Sequence, residues 1–126
     1  MAIQKFNVSK DDSIYEAWPD LVKTNDGKLI CVFSECEHHC DRNNTRIMIA
    51  ESVDRGRTWS AKKPFTENCK SDCFFNCARI SKLNDGRLAI ICDKVKGGER
   101  NSHFCTFLST FFLRTRFCHG QHFLQS

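Results

Sequence analysis

Eight consecutive residues constrain the fold of this chain more than any other part of it. They read Ser52-Val53-Asp54-Arg55-Gly56-Arg57-Thr58-Trp59. Asp and Ser side chains can bond nearby backbone N–H groups and close a tight turn, and Gly56 can adopt the positive φ that such a turn needs. Thr58 and Trp59 can begin the next strand, where the indole fills space beside the sheet. The pattern predicts a tight turn that joins a strand over residues 46–51 to another near residues 62–65.

Apolar runs elsewhere in the first 99 residues also indicate β structure. Three of them have the length of buried strands and cover residues 29–33, 46–50 and 88–92. Nothing before residue 100 shows the apolar period of an amphipathic helix. These features predict an all-β fold.

One hairpin pattern occurs twice. Residues 18–29 align without gaps to residues 77–88, an offset of 59 positions. Each copy carries Asn-Asp-Gly, a strong turn signal, ahead of an apolar strand. A hairpin that returns after two further strands is typical of a radial β array, in which each unit has about four strands.

With these motifs in place, residues 15–96 resemble the sialidase superfamily. The eight-residue pattern matches the Asp-box, Ser-x-Asp-x-Gly-x-Thr-Trp, and Arg79-Ile80-Ser81 is similar to the family's Arg-Ile-Pro segment. The resemblance implies that residues 1–99 form an N-terminal piece of a six-bladed β-propeller, about one and a half four-stranded antiparallel blades. It also implies that the Asp-box residues are architectural, namely Ser52, Asp54, Gly56, Thr58 and Trp59.

The resemblance further implies the chemistry of an exo-α-sialidase, a glycoside hydrolase whose partner is a glycan or sialoside. Family members bind the substrate carboxylate with arginines, and the candidates here are Arg79 and Arg46. An aspartate serves as acid and base, for which Asp41 and, more weakly, Asp20 are the candidates. Arginine suits the first role because its planar fork forms two parallel hydrogen bonds to a carboxylate.

Two positions depart from the family pattern. The usual acid falls near Asn44, which cannot titrate, and Tyr15, the one tyrosine of the sequence, does not match the family's late nucleophile. We therefore expect no hydrolysis by this chain alone. The alternative hypothesis is a non-catalytic glycan-binding or scaffold propeller.

A small zinc module is a third hypothesis. Four residues of the types that bind zinc lie within five positions: Cys36, His38, His39 and Cys40. Their spacing is permissible for zinc. The nine cysteines are an odd number, and in a reducing compartment free thiols are expected rather than disulfides. Packed small residues remain the simpler interpretation, and no metal or other cofactor is predicted.

The composition changes abruptly near residue 100. Residues 100–126 contain no acidic residue and no lysine but hold six of the 11 phenylalanines. A shifted reading frame would produce this change, and so would a real tail, disordered or folded, that is rich in Phe, His and Arg. We treat residues 100–126 as an atypical tail.

Charge and hydropathy exclude several classes of partner. The net charge of +4 is modest and the basic residues are not clustered on one recognisable element, so no nucleic-acid partner is predicted. No apolar run reaches the ~18 residues of a membrane span, so no membrane partner is predicted. Residues 1–10 lack the apolar segment of a secretory signal, which predicts a cytoplasmic location. The exposed edges of an incomplete propeller would favour self-association.

Overall fold

A computed structural model describes residues 3–39, 44–66, 73–96 and 107–113, with the backbone alone for residues 73, 95, 96 and 107–113. These parts of the chain form seven strands and no helix: β1 (Tyr15–Lys23), β2 (Leu29–Cys36), β3 (Arg46–Ser52), β4 (Lys63–Pro64), β5 (Cys73–Lys82), β6 (Leu88–Lys96) and β7 (Phe107–Leu113). With no helix there, no helical membrane span exists in the described residues.

The strands form two antiparallel sheets. The first sheet has the order β1-β2-β3-β4, and the second has the order β5-β6-β7. Within each sheet, every strand after the first pairs with the strand that precedes it in the chain, which is a meander. The prediction of an all-β, antiparallel fold is confirmed. A four-stranded meander is also the form of a propeller blade.

The repeated segments build the same hairpin twice, down to its irregularities. The β1–β2 register shifts between Ala17 and Asp20, and the β5–β6 register shifts at the positions 59 residues later, between Asn76 and Arg79. Both bulges contain a non-glycine residue with positive φ, since Trp18 has φ 52° and Cys77 has φ 51°. Such backbone costs roughly 1–3 kcal/mol and persists only where the surroundings impose it.

Both hairpins turn at a glycine. Gly27 has φ 86° and Gly86 has φ 81°, a region that glycine adopts without the clash of a Cβ atom. The Gly27 N–H donates to the Thr24 carbonyl at 3.1 Å, and the Gly86 N–H donates to the Leu83 carbonyl at 2.9 Å. The repeated Asn-Asp-Gly sequence thus forms two equivalent turns.

The main core lies between the two sheets. Strand alternation turns one face of each sheet toward the other, and the buried residues that meet there are Ile30, Val32, Ile47, Phe75, Ala78, Ile80, Leu88, Ile90 and Cys92. Each large aliphatic side chain contributes about 1.5–3 kcal/mol when fully buried. This face-to-face packing is the principal force that holds the sheets together.

A smaller apolar cluster lies on the opposite face of the first sheet. Its buried members are Cys31, Phe33, Met48 and Ala50. Val8, from the segment before β1, and Trp59, from the turn after β3, pack against this cluster. We call this surface the outer face of the first sheet, and we call residues 3–14, which cross it, the strap.

Three backbone N–H groups of β5 tie the second sheet to the first. The Ile80 N–H donates to Asp20 Oδ2 at 2.9 Å, and the Cys77 N–H donates to Ser34 Oγ at 3.2 Å. The Phe75 N–H donates to the Thr45 carbonyl at 3.1 Å. The bulge of β5 is therefore held by polar contacts as well as by apolar packing.

The two ends of this sandwich differ. One end carries the tight turns that follow β1, β3 and β5, and there Lys82 Nζ lies 2.8 Å from Asn25 Oδ1. The other end carries the start of β1 opposite the end of β2, with the β2–β3 connection beside it. We call this second end the strand-start end.

Candidate functional site

The turn over residues 52–59 is closed by the side chains of its own sequence. Asp54 Oδ1 accepts hydrogen bonds from the Thr58 N–H and the Ser52 hydroxyl, both at 2.9 Å, and Asp54 Oδ2 accepts one from the Thr58 hydroxyl at 2.6 Å. The Gly56 N–H donates to Ser52 Oγ at 2.9 Å. The bonds from Thr58 to the carboxylate lower the pKa of Asp54 to about 2. The aspartate is therefore ionised in the folded chain at neutral pH.

The indole of Trp59 anchors this turn to the outer face. Trp59 Nε1 donates to the Gly56 carbonyl at 3.1 Å while the ring packs on the apolar cluster. Gly56 has φ 85°, and a Cβ atom there would lie 3.5 Å from Leu29 and 3.7 Å from the Trp59 ring. Strand β4 begins only at Lys63, so Thr58 and Trp59 belong to the turn rather than to the next strand.

Asp20, the weaker acid candidate, lies at the contact between the sheets. Its Oδ1 accepts a hydrogen bond from the Leu21 N–H at 3.0 Å, and its Oδ2 accepts the bond from Ile80 described above. Both carboxylate oxygens thus satisfy backbone donors. The arrangement fits a structural role for Asp20, because a proton donor needs an oxygen that can reach a substrate.

Arg79 and Arg46, the two candidates for binding a carboxylate, have different surroundings. Arg79 is exposed just past the bulge of β5, and its nearest polar contact is 3.5 Å from Nη1 to the Ala78 carbonyl. Arg46 instead donates from Nε at 3.0 Å and from Nη2 at 2.7 Å to Oε1 of Glu35. The guanidinium of Arg79 is thus the more accessible to a ligand.

A charged cluster that the sequence analysis did not find lies on the outer face, at the strand-start end. Glu35 is only 1% exposed, and Lys62 Nζ lies 2.6 Å from its Oε2 and 2.6 Å from Oε1 of Glu16. Partial burial opposes the charge on Lys62, but hydrogen bonds with Glu16, Glu35 and Asp11 prevail and raise its pKa. Lys62 therefore carries a full positive charge between two acidic side chains.

The same cluster fastens the strap to the sheet. Asp11 Oδ2 lies 3.2 Å from Lys62 Nζ, and the Ser9 hydroxyl donates to Glu16 Oε1 at 2.7 Å. The strap leaves a cleft of about 280 Å³ against the sheet, lined in part by Phe6, Ala17 and Phe33. No spacing rule in the sequence could reveal this cluster, because Glu16 and Glu35 meet through the β1–β2 register and Lys62 reaches them from the segment before β4.

The aromatic residues nearest the strand-start end contact one another. The Tyr15 and His39 ring centroids are 4.9 Å apart, and those of Tyr15 and Trp18 are 6.2 Å apart, both edge-to-face. Tyr15 is thus part of an aromatic group at the start of β1.

The zinc and acid candidates fall partly outside the described residues. Cys36 is buried, and its thiol donates to the His38 carbonyl at 3.5 Å. Cys40 and Asp41 lie outside the described residues, whereas Asn44 is exposed with φ 68°. Among the residues that the structure describes, no three His, Cys, Asp or Glu side chains are grouped as metal ligands.

Burial raises the pKa of two further thiols, those of Cys31 and Cys92. Burial, reinforced by the charge of Asp20, raises the pKa of Cys31 to about 11. Burial, reinforced by Asp93, raises the pKa of Cys92 to about 12. Both thiols stay protonated at neutral pH and act as small apolar side chains.

Comparison with known protein families and curated proteins gave no match. No model of a known protein family matches the chain, and no curated protein matches it. The inference of function therefore depends on the residues and contacts described above.

Proposed function

We propose that this chain supplies two sheets of a sialidase-like, glycan-binding propeller, and that the chain alone binds a sialoside without hydrolysing it. The observation that carries the proposal is the turn over residues 52–59. It joins the third and fourth strands of a four-stranded meander. Asp54 and Trp59 make hydrogen bonds that close this turn, which explains why the motif has Asp and Trp at these positions.

The relation between the two sheets supports the same proposal. The first strands of the sheets, β1 and β5, are joined through Asp20 and the Ile80 N–H, and the bulges of the two hairpins occupy equivalent positions. A propeller needs repeated sheets whose first strands lie side by side around a common axis. The repeated hairpin provides two such sheets.

Arg79 supports binding of an acidic sugar. Its side chain is exposed to solvent, so a ligand can reach it. Its guanidinium presents a planar set of donors that matches the geometry of a carboxylate. The bulge beside it is a common device for re-aiming a side chain next to a functional site. We assign Arg79 to the carboxylate of a terminal sialic acid.

We expect no turnover because the other two candidate residues that the structure describes, Asp20 and Arg46, already make contacts within the fold. Asp20 has both oxygens bonded to backbone N–H groups, and Arg46 is bonded to the buried carboxylate of Glu35. Recruiting either one for catalysis would break a contact of the fold. These contacts favour the non-catalytic, glycan-binding alternative over hydrolysis by this chain.

Binding is tested by saturation-transfer NMR with methyl α-N-acetylneuraminate, alongside a fluorogenic sialoside for turnover. We expect a saturation signal that Arg79→Ala lowers at least about fivefold and Arg79→Lys only partly restores, because lysine lacks the bidentate fork. Arg57→Ala is the matched control, since Arg57 is also an exposed arginine and lies in the 52–59 turn.

Equal signals from Arg79→Ala and Arg57→Ala would refute the assignment of Arg79. Release of the fluorophore above the rate without protein would refute the prediction of binding without hydrolysis. Absence of any saturation signal from the wild-type chain would refute the glycan-binding proposal itself.

A further inference from the structure

The two copies of the hairpin place a backbone N–H group at equivalent positions just past the bulge. In the first copy the N–H belongs to Leu21, which follows the bulge at Trp18. In the second copy it belongs to Ile80, which stands 59 positions later and follows the bulge at Cys77. Both N–H groups donate to a side-chain carboxylate, at 3.0 Å from Leu21 and at 2.9 Å from Ile80.

A single aspartate accepts both of these hydrogen bonds. Asp20 binds the Leu21 N–H with Oδ1 from the adjacent position in the chain, and it binds the Ile80 N–H with Oδ2 from the other sheet. The repeat equivalent of Asp20 is Arg79, whose side chain contains no acceptor. An aspartate at position 79 could bind the Ile80 N–H in the way that Asp20 binds that of Leu21. Because Asp20 serves both N–H groups, position 79 is free to carry an arginine.

A second residue of the first sheet holds the other side of the same bulge. Ser34 is 1% exposed, and its hydroxyl accepts the Cys77 N–H at 3.2 Å and donates to Asn76 Oδ1 at 3.3 Å. Cys77 has φ 51° and lies where β5 has one residue more than β6, between Asn76 and Arg79. Ser34 thus holds the backbone just before Arg79, and Asp20 holds it just after.

We propose that Asp20 and Ser34 are positioning residues, which hold the backbone of residues 77–80 so that Arg79 is presented to the carboxylate of a bound sialoside. The proposal rests on the glycan-binding function proposed above. Ser34 is buried and both oxygens of Asp20 are bonded, so both residues act through Arg79 rather than on the ligand. A backbone that is fixed before binding reduces the conformational entropy that binding would otherwise cost.

The contact between the sheets thereby becomes part of the site. Arg79 belongs to the second sheet, whereas Asp20 and Ser34 belong to the first and are separated from Ile80 and Cys77 by 60 and 43 positions. The side chain of Arg79 is exposed, so its direction depends on the backbone that carries it. Loosening the contact between the sheets is therefore expected to weaken binding even though the arginine is still present.

The role of Asp20 is tested without a ligand by giving position 79 an acceptor of its own. Asp20→Ala should lower the urea unfolding midpoint, because the Ile80 N–H loses its acceptor. Adding Arg79→Asn should recover at least about a quarter of that loss, since asparagine can accept from the next N–H as Asp20 does from Leu21.

Arg79→Ala in the same Asp20→Ala background is the matched control, because it removes the same charge and supplies no acceptor. The advantage of asparagine over alanine at position 79 should disappear when Asp20 is present. Equal midpoints for the two double variants would overturn the relation between Asp20 and position 79.

The role of Ser34 is tested by saturation-transfer NMR with methyl α-N-acetylneuraminate, at equal concentrations of folded protein. Ser34→Ala should lower the saturation signal at least about threefold, and Ser34→Thr, which keeps the hydroxyl, should restore most of it. In an Arg79→Ala background Ser34→Ala should have no further effect, because Ser34 acts through Arg79. Thr66→Ala is the matched control, since Thr66 is also buried and its hydroxyl accepts a backbone N–H, that of Ile47, at 3.0 Å.

Two results would overturn the positioning role of Ser34: equal losses from Ser34→Ala and Thr66→Ala, or a further loss from Ser34→Ala when Arg79 is already replaced. A wild-type chain that gives no saturation signal would refute the glycan-binding function and, with it, the positioning of Arg79 for a sialoside. The urea midpoints separate these cases, because a recovery by Arg79→Asn shows that Asp20 serves both bulges whether or not a sialoside binds.

Discussion

Lys62 Nζ lies 2.6 Å from Oε2 of Glu35, a carboxylate that is nearly inaccessible to water. Glu16 stands directly opposite Glu35 in the β1–β2 register, and two like charges opposite one another destabilise a sheet. Lys62 relieves this repulsion because its ammonium contacts both carboxylates. Arg46 completes the set on the β3 side.

Replacing Lys62 by methionine should therefore destabilise the fold. The change leaves Glu16 and Glu35 facing each other without the shared cation, and removing one partner of a buried ion pair costs about 3 kcal/mol. Urea unfolding followed by tryptophan fluorescence measures the effect. Lys63→Met is the control, because Lys63 is the exposed neighbour. Equal unfolding midpoints for the two variants would show that the cluster contributes nothing.

Asp20 should be needed for stability because it satisfies a backbone donor across the sheet interface. Asp20→Ala leaves the Ile80 N–H without its acceptor, and an unsatisfied donor of this kind costs about 1–3 kcal/mol. Asp20→Asn should lose about half as much, since one amide oxygen can still accept. Asp12→Ala, at an exposed position, is the control for losing an aspartate. The urea unfolding midpoint should be lowest for Asp20→Ala, intermediate for Asp20→Asn and highest for the wild type. Any other order contradicts the prediction.

The turn over residues 52–59 should make stability depend on pH in the acid range. The pKa of Asp54 is lowered to about 2 in the folded chain, against about 3.9 in an unfolded chain. A lowered pKa means that the ionised form stabilises the fold. This contribution is complete above about pH 4 and is lost as the pH falls through about 2.

The variant Asp54→Asn isolates that contribution, because its side chain does not titrate. Thermal melts between pH 5 and pH 2 should show a smaller gap between variant and wild type at the acid end than at pH 5. A gap that stays constant across this range would mean that the charge of Asp54 does not stabilise the turn.

The two hairpin glycines provide a matched pair of substitutions. Gly27→Ala forces a positive φ on alanine with no atom within 4 Å of the new Cβ, so it should cost only the backbone strain, roughly 1–2 kcal/mol. Gly86→Ala adds a contact of 2.9 Å with Asn25 Nδ2 and should cost more. Placing Gly86→Ala in an Asn25→Ala background should reduce its cost to that of Gly27→Ala. Equal costs for the two single substitutions would contradict the steric part of this prediction.

Local rules acting on a few neighbouring residues predicted much of the fold. The Asn-Asp-Gly triplets predicted both hairpin turns. The three residues favour a tight turn by themselves, because the glycine adopts the positive φ that the turn needs and the asparagine stands two positions before it. The short apolar runs predicted the first residues of strands β2, β3 and β6, which begin at Leu29, Arg46 and Leu88, but they end two to four residues before the strands do. The sialidase-like assignment and the roles of Arg79 and Asp41 remain predictions.

The sequence by itself determined the tight turns, the β class and the repeat of 59 positions, since each follows from contacts within one short segment. Only the tertiary structure decided which side chains meet across strands. Lys23 pairs with Leu29 and Asp20 with Val32, but past the bulge at Trp18 the register shifts by one residue, so that Glu16 faces Glu35 rather than Cys36. The bonds between the sheets, such as the one from the Ile80 N–H to Asp20, join residues 60 positions apart, and no pattern within one hairpin predicts them.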